Sequence, residues 1–362
     1  MINQLSIKNF KSIKELNFNP KKINIFIGAP NVGKSNILEA LSLFSIPYIS
    51  NFDNKFDGLV RFNNLKNLFF DNITLKKVEV ITNIAIAQLR YRDNIDMFDL
   101  FIGKKTLNDS DLKLNPDYSN LTNTLNNTYR KYPDLLESEK IKFYFNYFNK
   151  KGKEFQSEHQ SDYFSSIRKY TFNNDTIGNE PFHLYLKPPF GNNLITIIQK
   201  NTAIFDEVAS FFEIYGLELL YDIETNTFEI QKKQGKRVYK YPFKLIADTL
   251  QRIIFYLTVV ETNKNTSILL EEPETHSFPP YTKMLAERIA FSETNQFFIT
   301  THSPYLLYNI IENTEEKDRN IIITYYKDYQ TKIKVLNNKE VNRIIEDDIE
   351  VFFNLESFLS DE

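Results

Sequence analysis

The run Gly28-Ala29-Pro30-Asn31-Val32-Gly33-Lys34-Ser35 constrains this chain more than any other part of it. Two glycines, a lysine and a serine fill every fixed position of the pattern G-x-x-x-x-G-K-[ST]. The flanks fit the pattern. Ile23-Asn24-Ile25-Phe26-Ile27 reads as a buried strand, and Asn36 to Phe44 carries Ile37, Leu38, Leu41 and Phe44 on one helical face. A strand that turns through glycines into a helix makes an anion nest. Gly28 and Gly33 permit backbone angles that a Cβ would obstruct, and the loop's N–H groups turn inward at the positive end of the following helix. Proline supplies only its place in that turn, having no N–H. Lys34 reaches terminal phosphates, and Ser35 offers a hydroxyl to Mg²⁺.

Two further segments belong to the same chemistry. Ser267-Ile268-Leu269-Leu270 reads as an apolar strand ending in Glu271-Glu272-Pro273-Glu274. A nucleotide site needs one acid for the Mg²⁺ shell and one for the attacking water. Glu271 is assigned to the first role and Glu272 to the second. Phe297-Phe298-Ile299-Thr300-Thr301 leads into His302-Ser303-Pro304, which places an imidazole past a strand end where it can sense a γ-phosphate. His276 follows the acidic run closely and is a weaker candidate, for contact with a partner subunit.

Composition narrows the remaining classes. Among 362 residues there is no cysteine, which removes disulfides, thiolate zinc sites and thiol catalysis. Four histidines leave little for a histidine-rich metal centre. A net charge of −3 argues against coating nucleic acid by bulk charge, although Lys232-Lys233-Gln234-Gly235-Lys236-Arg237 with Tyr239, Lys240 and Tyr241 is a local basic, aromatic stretch. No secretory signal and no long apolar span is legible, so a cytoplasmic chain without membrane contact is expected.

The order of elements predicts an α/β fold. Leu5 to Phe18 reads as two strands, Lys77 to Ile81 and Ile84 to Tyr91 as a meander, and 194–215 as helix. A hairpin follows, turned at Glu224-Thr225-Asn226, then a helix from Ala247 to Thr262, and a helix from Pro280 to Phe291 between the two motif strands. Strands at Ile321 to Tyr326 and Thr331 to Leu336 complete the core sheet, with a short acidic helix near Val341 to Glu350. Three regions result: 1–103 with the phosphate loop and a β-rich subdomain, 104–193 as an inserted helical or mixed subdomain, and 194–362 with the acidic strand and His302.

With these motifs in hand, the chain resembles the ABC-type ATPases of the OLD/RecF/SMC group, a branch of the AAA ATP-binding proteins. Leu5-Ser6-Ile7-Lys8-Asn9-Phe10-Lys11-Ser12 is similar to that group's opening element, and the resemblance implies that Lys11 lies by the nucleotide. The phosphate loop, the Leu-Leu-Glu-Glu-Pro-Glu run, the Ile-Thr-Thr-His-Ser-Pro run and the phrase Arg61-Phe62 … Asn67-Leu68-Phe69-Phe70 match in order. The implied fold is an ABC-type P-loop NTPase head, and the implied cofactors are ATP and Mg²⁺. Gln88 is the candidate for the group's metal-side glutamine. Two heads are implied to close on ATP, each touched by the partner's signature helix. The matching segment here, Leu245 to Arg252, has Ala247 and Thr249 where the group has serine and glycine, so trans contact falls to Asp248, Thr249 or Arg252 and slow turnover is expected.

What the resemblance implies about function is an ATPase that dimerises, or forms a larger homo-oligomer, around ATP. It would sense for, regulate or scaffold a separately encoded effector, a nuclease or toxin, as in anti-phage defence. The stretch after His302 is too short for the Toprim nuclease of many relatives, and Asp347-Asp348 reads as surface charge. The alternative is a RecF-like DNA-repair ATPase, which keeps DNA open as a partner through the basic stretch at 232–241.

Overall fold

The computed structural model describes residues 1–51, 53–104, 143–155, 165–181, 183–346 and 351–359. Asp347, Asp348 and His159 lie outside them.

The core is a six-stranded sheet. Its strands are β3 (Ile23–Ile27), β9 (Ile167–Tyr170), β13 (Ser267–Glu271), β14 (Gln296–Thr300), β15 (Arg319–Lys327) and β16 (Gln330–Val335), in the order β16-β15-β3-β14-β13-β9. All neighbours are parallel except β15 and β16. The inner strands β3, β13, β14 and β15 are buried on both sides, as a sheet covered on both faces requires. Ile23, Ile25, Ile27, Ile268, Leu270, Phe297, Ile299, Ile321 and Ile323 enter one core. Their alternates Phe26, Leu269, Phe298 and Ile322 enter the other.

The first core is closed by helices α2 (Leu194–Lys200), α3 (Thr202–Glu213), α4 (Asp248–Thr262), α5 (Pro279–Phe291), α6 (Pro304–Glu312) and α7 (Asn338–Glu346). The helix expected over 194–215 is two helices. Asn201 ends the first and caps the second, its side chain accepting from the Ile204 N–H at 3.2 Å. A three-stranded antiparallel sheet of β10 (Glu218–Asp222), β11 (Thr227–Gln234) and β12 (Arg237–Pro242) joins this side through Leu219, Phe228 and Ile230.

The second core holds helix α1 (Lys34–Ser42) between the parallel sheet and a seven-stranded antiparallel one. That sheet has the order β2-β1-β4-β5-β6-β7-β8, from β1 (Leu5–Phe10), β2 (Ile13–Phe18), β4 (Val78–Thr82), β5 (Ala85–Arg92), β6 (Met97–Lys104), β7 (Phe143–Phe148) and β8 (Glu154–Phe155). Ile7, Val80, Ala87, Leu89 and Ile102 face Ile37, Leu38 and Leu41 of α1.

The α/β fold expected from the order of elements is the one observed, with a β-rich subdomain against the P-loop side. The stretch expected as an insert, 104–193, is woven into both sheets in its described part. β7 and β8 lengthen the antiparallel sheet because Tyr144 and Phe148 continue its buried face, and β9 is the edge strand of the core beside β13. Before β4 the chain makes short 3₁₀ turns at Leu65–Leu68 and Phe70–Asn72.

One ring cluster fastens the helices to the β9 edge. Phe255 of α4 is fully buried, with ring centroids 6.4, 5.7 and 5.1 Å from Tyr170, Phe172 and Tyr256. Phe255→Ala is expected to cost about 3–5 kcal/mol. The measurement is a urea titration, in which the midpoint falls with an unchanged slope. A loss below about 1 kcal/mol would mean that the cluster collapses around the void and fastens nothing.

Candidate nucleotide-binding site

The site stands at the carboxyl ends of β3, β13 and β14, the usual ligand position of an open parallel sheet. Gly28 leaves β3 at φ 151°, and a Cβ there would fall 2.2 Å from the Thr324 carbonyl oxygen. Gly33 enters α1 at φ 99°, and its Cβ would fall 2.1 Å from Thr331 Oγ1. Both glycines are therefore required by β15 and β16, which press on the loop from behind. The Thr331 hydroxyl donates to the Val32 carbonyl at 2.8 Å and lies 2.6 Å from Ser12 Oγ, which accepts from Asn36 Nδ2 at 2.7 Å. Ala29, Pro30 and Asn31 are exposed at the loop's rim, and Asn31 takes φ 63°.

Lys34 curls over the loop, its ammonium donating to the carbonyls of Gly28 and Ala29, both at 2.8 Å. Burial lowers its pKa, and the Glu272 carboxylate opposes that. Glu272 sits at φ 44°, held by its N–H donating to the Thr300 carbonyl at 3.0 Å. Its Oε1 is 3.8 Å from His302 Nε2. Burial and Lys34 lower the His302 pKa against the pull of Glu272, so the imidazole is neutral at pH 7. Lys34, Ser35, Glu271, Glu272 and His302 are thus brought together, although their segments are far apart in sequence.

Glu271 is the most heavily bonded of the group. It is hydrogen-bonded to Ser35, and it accepts from Arg61 Nη2 at 2.9 Å and from Lys169 Nζ at 3.2 Å. Burial alone would raise its pKa, but Lys169, Ser35 and Arg61 hold it below the usual carboxylate value. Ser35 and Glu271 fit a magnesium ion, being two hard oxygen ligands already side by side. Among the described residues no group of three or more histidine or acidic side chains could hold a metal. The other ligands of such an ion would be phosphate oxygens and water.

Lys11 is placed one step further back. It takes φ 47°, and its ammonium donates to the buried Glu39 of α1 and, at 2.7 Å, to the Arg61 carbonyl. Arg61 Nε closes the link by donating to Glu39 at 2.8 Å. Gln88 is not brought to the site. It stands between Ala87 and Leu89, which face α1, so strand alternation puts its side chain on the opposite face, donating to Glu79 at 2.8 Å. The signature-like residues lie at the start of α4. Asp248 and Arg252 pair with each other at 2.6 Å, and the Thr249 hydroxyl donates to the His276 carbonyl at 2.8 Å. The basic stretch forms the tip of β11 and all of β12, exposed throughout.

Sequence reasoning gave no role to Glu39, Arg61, Lys169 or Glu274. Glu39 and Arg61 are single charges in apolar segments, Lys169 is one of two adjacent cations, and only a fold brings them together. Glu274 had a signal, as the third acid of its run. It accepts from the Thr301 hydroxyl at 2.5 Å and from the His302 N–H at 3.1 Å.

These features, a glycine loop over a helix N-terminus with an acidic strand end and a histidine beside it, define a P-loop nucleotide-binding protein. The family described as "AAA domain, putative AbiEii toxin, Type IV TA system" matches residues 23–307, and the chain belongs to it. No curated protein matches the chain. Similar solved structures include an SMC head bound to the C-winged helix domain of ScpA, 17% identical over 94% of this chain and 99% of that one, TM-score 0.47. A second is an Smc head with an extended coiled coil bound to the C-terminal domain of ScpA derived from Pyrococcus furiosus, 15% identical over 96% and 98%, TM-score 0.47. A third is an SMC head domain from Thermotoga maritima, 12% identical over 93% and 99%, TM-score 0.38.

Glu274 generates a pH prediction. Burial raises its pKa, and its buried Oε2 has no protein donor among the described residues. A carboxyl whose folded pKa is raised stabilises the fold while protonated, and that contribution is lost as pH rises through the folded value. Glu274→Gln keeps an acceptor for Thr301 and His302 but cannot ionise. The Tm difference between the variant and the wild type should therefore shift in the variant's favour between acid and mildly alkaline pH. A difference that stays constant across that range would show that Glu274 is not held against ionisation.

Proposed function

We propose that the chain binds and hydrolyses ATP, dimerises around it as an ABC-type head, and uses that cycle to regulate a separate effector protein in anti-phage defence. The observation that carries the hydrolytic part is the convergence of Lys34, Ser35, Glu271, Glu272 and His302 at three adjacent strand ends. On this reading Lys34 exchanges its two carbonyl partners for phosphate oxygens. Magnesium, when bound with the nucleotide, supplies charge neutralisation next to Ser35 and Glu271. Glu272 accepts a proton from the attacking water, because it is the acid facing the loop without a salt bridge to Arg61 or Lys169. His302, neutral and next to Glu272, donates one hydrogen bond to the terminal phosphate.

The regulatory part rests on the family description, which names an AbiEii toxin and a Type IV TA system, and on the resemblance to defence ATPases. In a dimer the start of α4 would be the trans contact. Ala247 brings no hydroxyl there and Asp248 brings negative charge, which supports slow turnover.

The test is phosphate release together with size measurement in solution. Lys34→Ala should abolish ATP binding. Glu272→Gln should keep binding, lower turnover by about 10²–10⁴-fold and accumulate an ATP-bound dimer. Equal turnover of wild type and Glu272→Gln would remove Glu272 from the chemistry, and absence of phosphate release from the wild type would remove the hydrolytic reading.

A further inference from the structure

Behind the site runs an unbroken chain of charge: Lys11 to Glu39, Glu39 to Arg61, Arg61 to Glu271, and Glu271 to Lys169. It holds three cations and two carboxylates, and so sums to +1. The two cations that touch Glu271 differ in freedom. The Arg61 side chain is largely exposed, whereas the Lys169 side chain is 4% exposed. Lys169 is fixed on β9 by its ammonium donating to the Leu59 carbonyl at 2.9 Å and its backbone N–H donating to Ser45 Oγ at 2.9 Å. A buried ammonium held this way stays beside Glu271, since leaving would strand both charges unpaired.

In a phosphate-loop site an ionised acid at the strand end repels the nucleotide's phosphates, and a divalent cation ordinarily offsets that repulsion. Here a side chain already offsets it. We propose that Lys169, assisted by Arg61, is a built-in counter-charge to Glu271, so that this site captures the nucleotide's phosphates with only weak dependence on Mg²⁺. The inference rests on the nucleotide-site reading above and concerns capture, not turnover. Lys169 is a positioning residue that acts through Glu271.

The experiment is equilibrium binding of a fluorescent ATP analogue to the full chain, in Mg²⁺ and in EDTA. The wild type should bind less than about 10-fold more weakly in EDTA. Lys169→Met should leave Mg²⁺-supported binding within about 3-fold but weaken binding in EDTA by a further 10-fold or so, and Lys169→Arg should restore it. The double variant Glu271→Gln with Lys169→Met should also recover binding in EDTA, because no carboxylate then remains to be offset. A wild-type loss of about 100-fold or more in EDTA, or equal weakening of Lys169→Met in both conditions, would overturn the proposal. The wild-type ratio decides the matter even if a variant fails to fold. Absence of binding in both buffers would instead sink the nucleotide-site reading itself.

Discussion

Helix α1 is pressed between two sheets, and the rest of the molecule is arranged by that constraint. Its apolar residues Ile37, Leu38 and Leu41 meet the antiparallel sheet on one side and Phe26, Leu269, Phe298 and Ile322 of the core sheet on the other. A nine-residue helix has marginal stability alone. Enclosed this way, it fixes the loop in front of it, and the Thr331–Ser12–Asn36 hydrogen bonds fix that loop from the third side. The phosphate nest is therefore formed by packing before any ligand arrives. The same enclosure places Glu39 where no water reaches it, which obliges Lys11 and Arg61 to converge on it.

That obligation links stability to the site. Arg61 bridges a wholly buried carboxylate in α1 and a half-buried one at the end of β13. The position of Glu271 is thus set by a helix whose own position is set by two sheets. Its ionisation follows from the same bonds, because Lys169 and Ser35 outweigh the burial that would otherwise favour the neutral acid. Glu272, one residue later, has left the strand's pleat at φ 44° and turns toward Lys34 and His302 instead. Two consecutive glutamates thereby acquire different surroundings, one bonded to Lys169 and Arg61 and the other facing Lys34 and His302.

Much of this was legible in the sequence because the motifs are local. The phosphate loop, the acidic strand end and His302 each sit at the end of a short apolar run, and short runs in a parallel sheet must bring their ends to one edge. The unread parts are those that depend on partners distant in the chain. Lys169 looks like an ordinary charge between Arg168 and Tyr170, and only its place next to β13 gives it Glu271. Gln88 stands inside an apolar alternation, and that alternation turns its side chain away from α1. The strands in the described part of 104–193 are short and isolated in sequence, and only the fold shows that their aromatic residues complete cores begun elsewhere.

The loops after β13 and β14 show how little is needed to set the geometry between two motifs. Glu274 accepts from both the Thr301 hydroxyl and the His302 N–H through one carboxylate oxygen. The Glu272 N–H in turn donates to the Thr300 carbonyl. Each loop is therefore pinned to the other through backbone next to Glu272 and His302. The cost of this arrangement is visible in the raised pKa of Glu274, whose second oxygen is buried without a protein donor. A fold that tolerates such a carboxyl ties two strand ends together at the point where their loops begin, and so holds the backbone of both motifs in one arrangement.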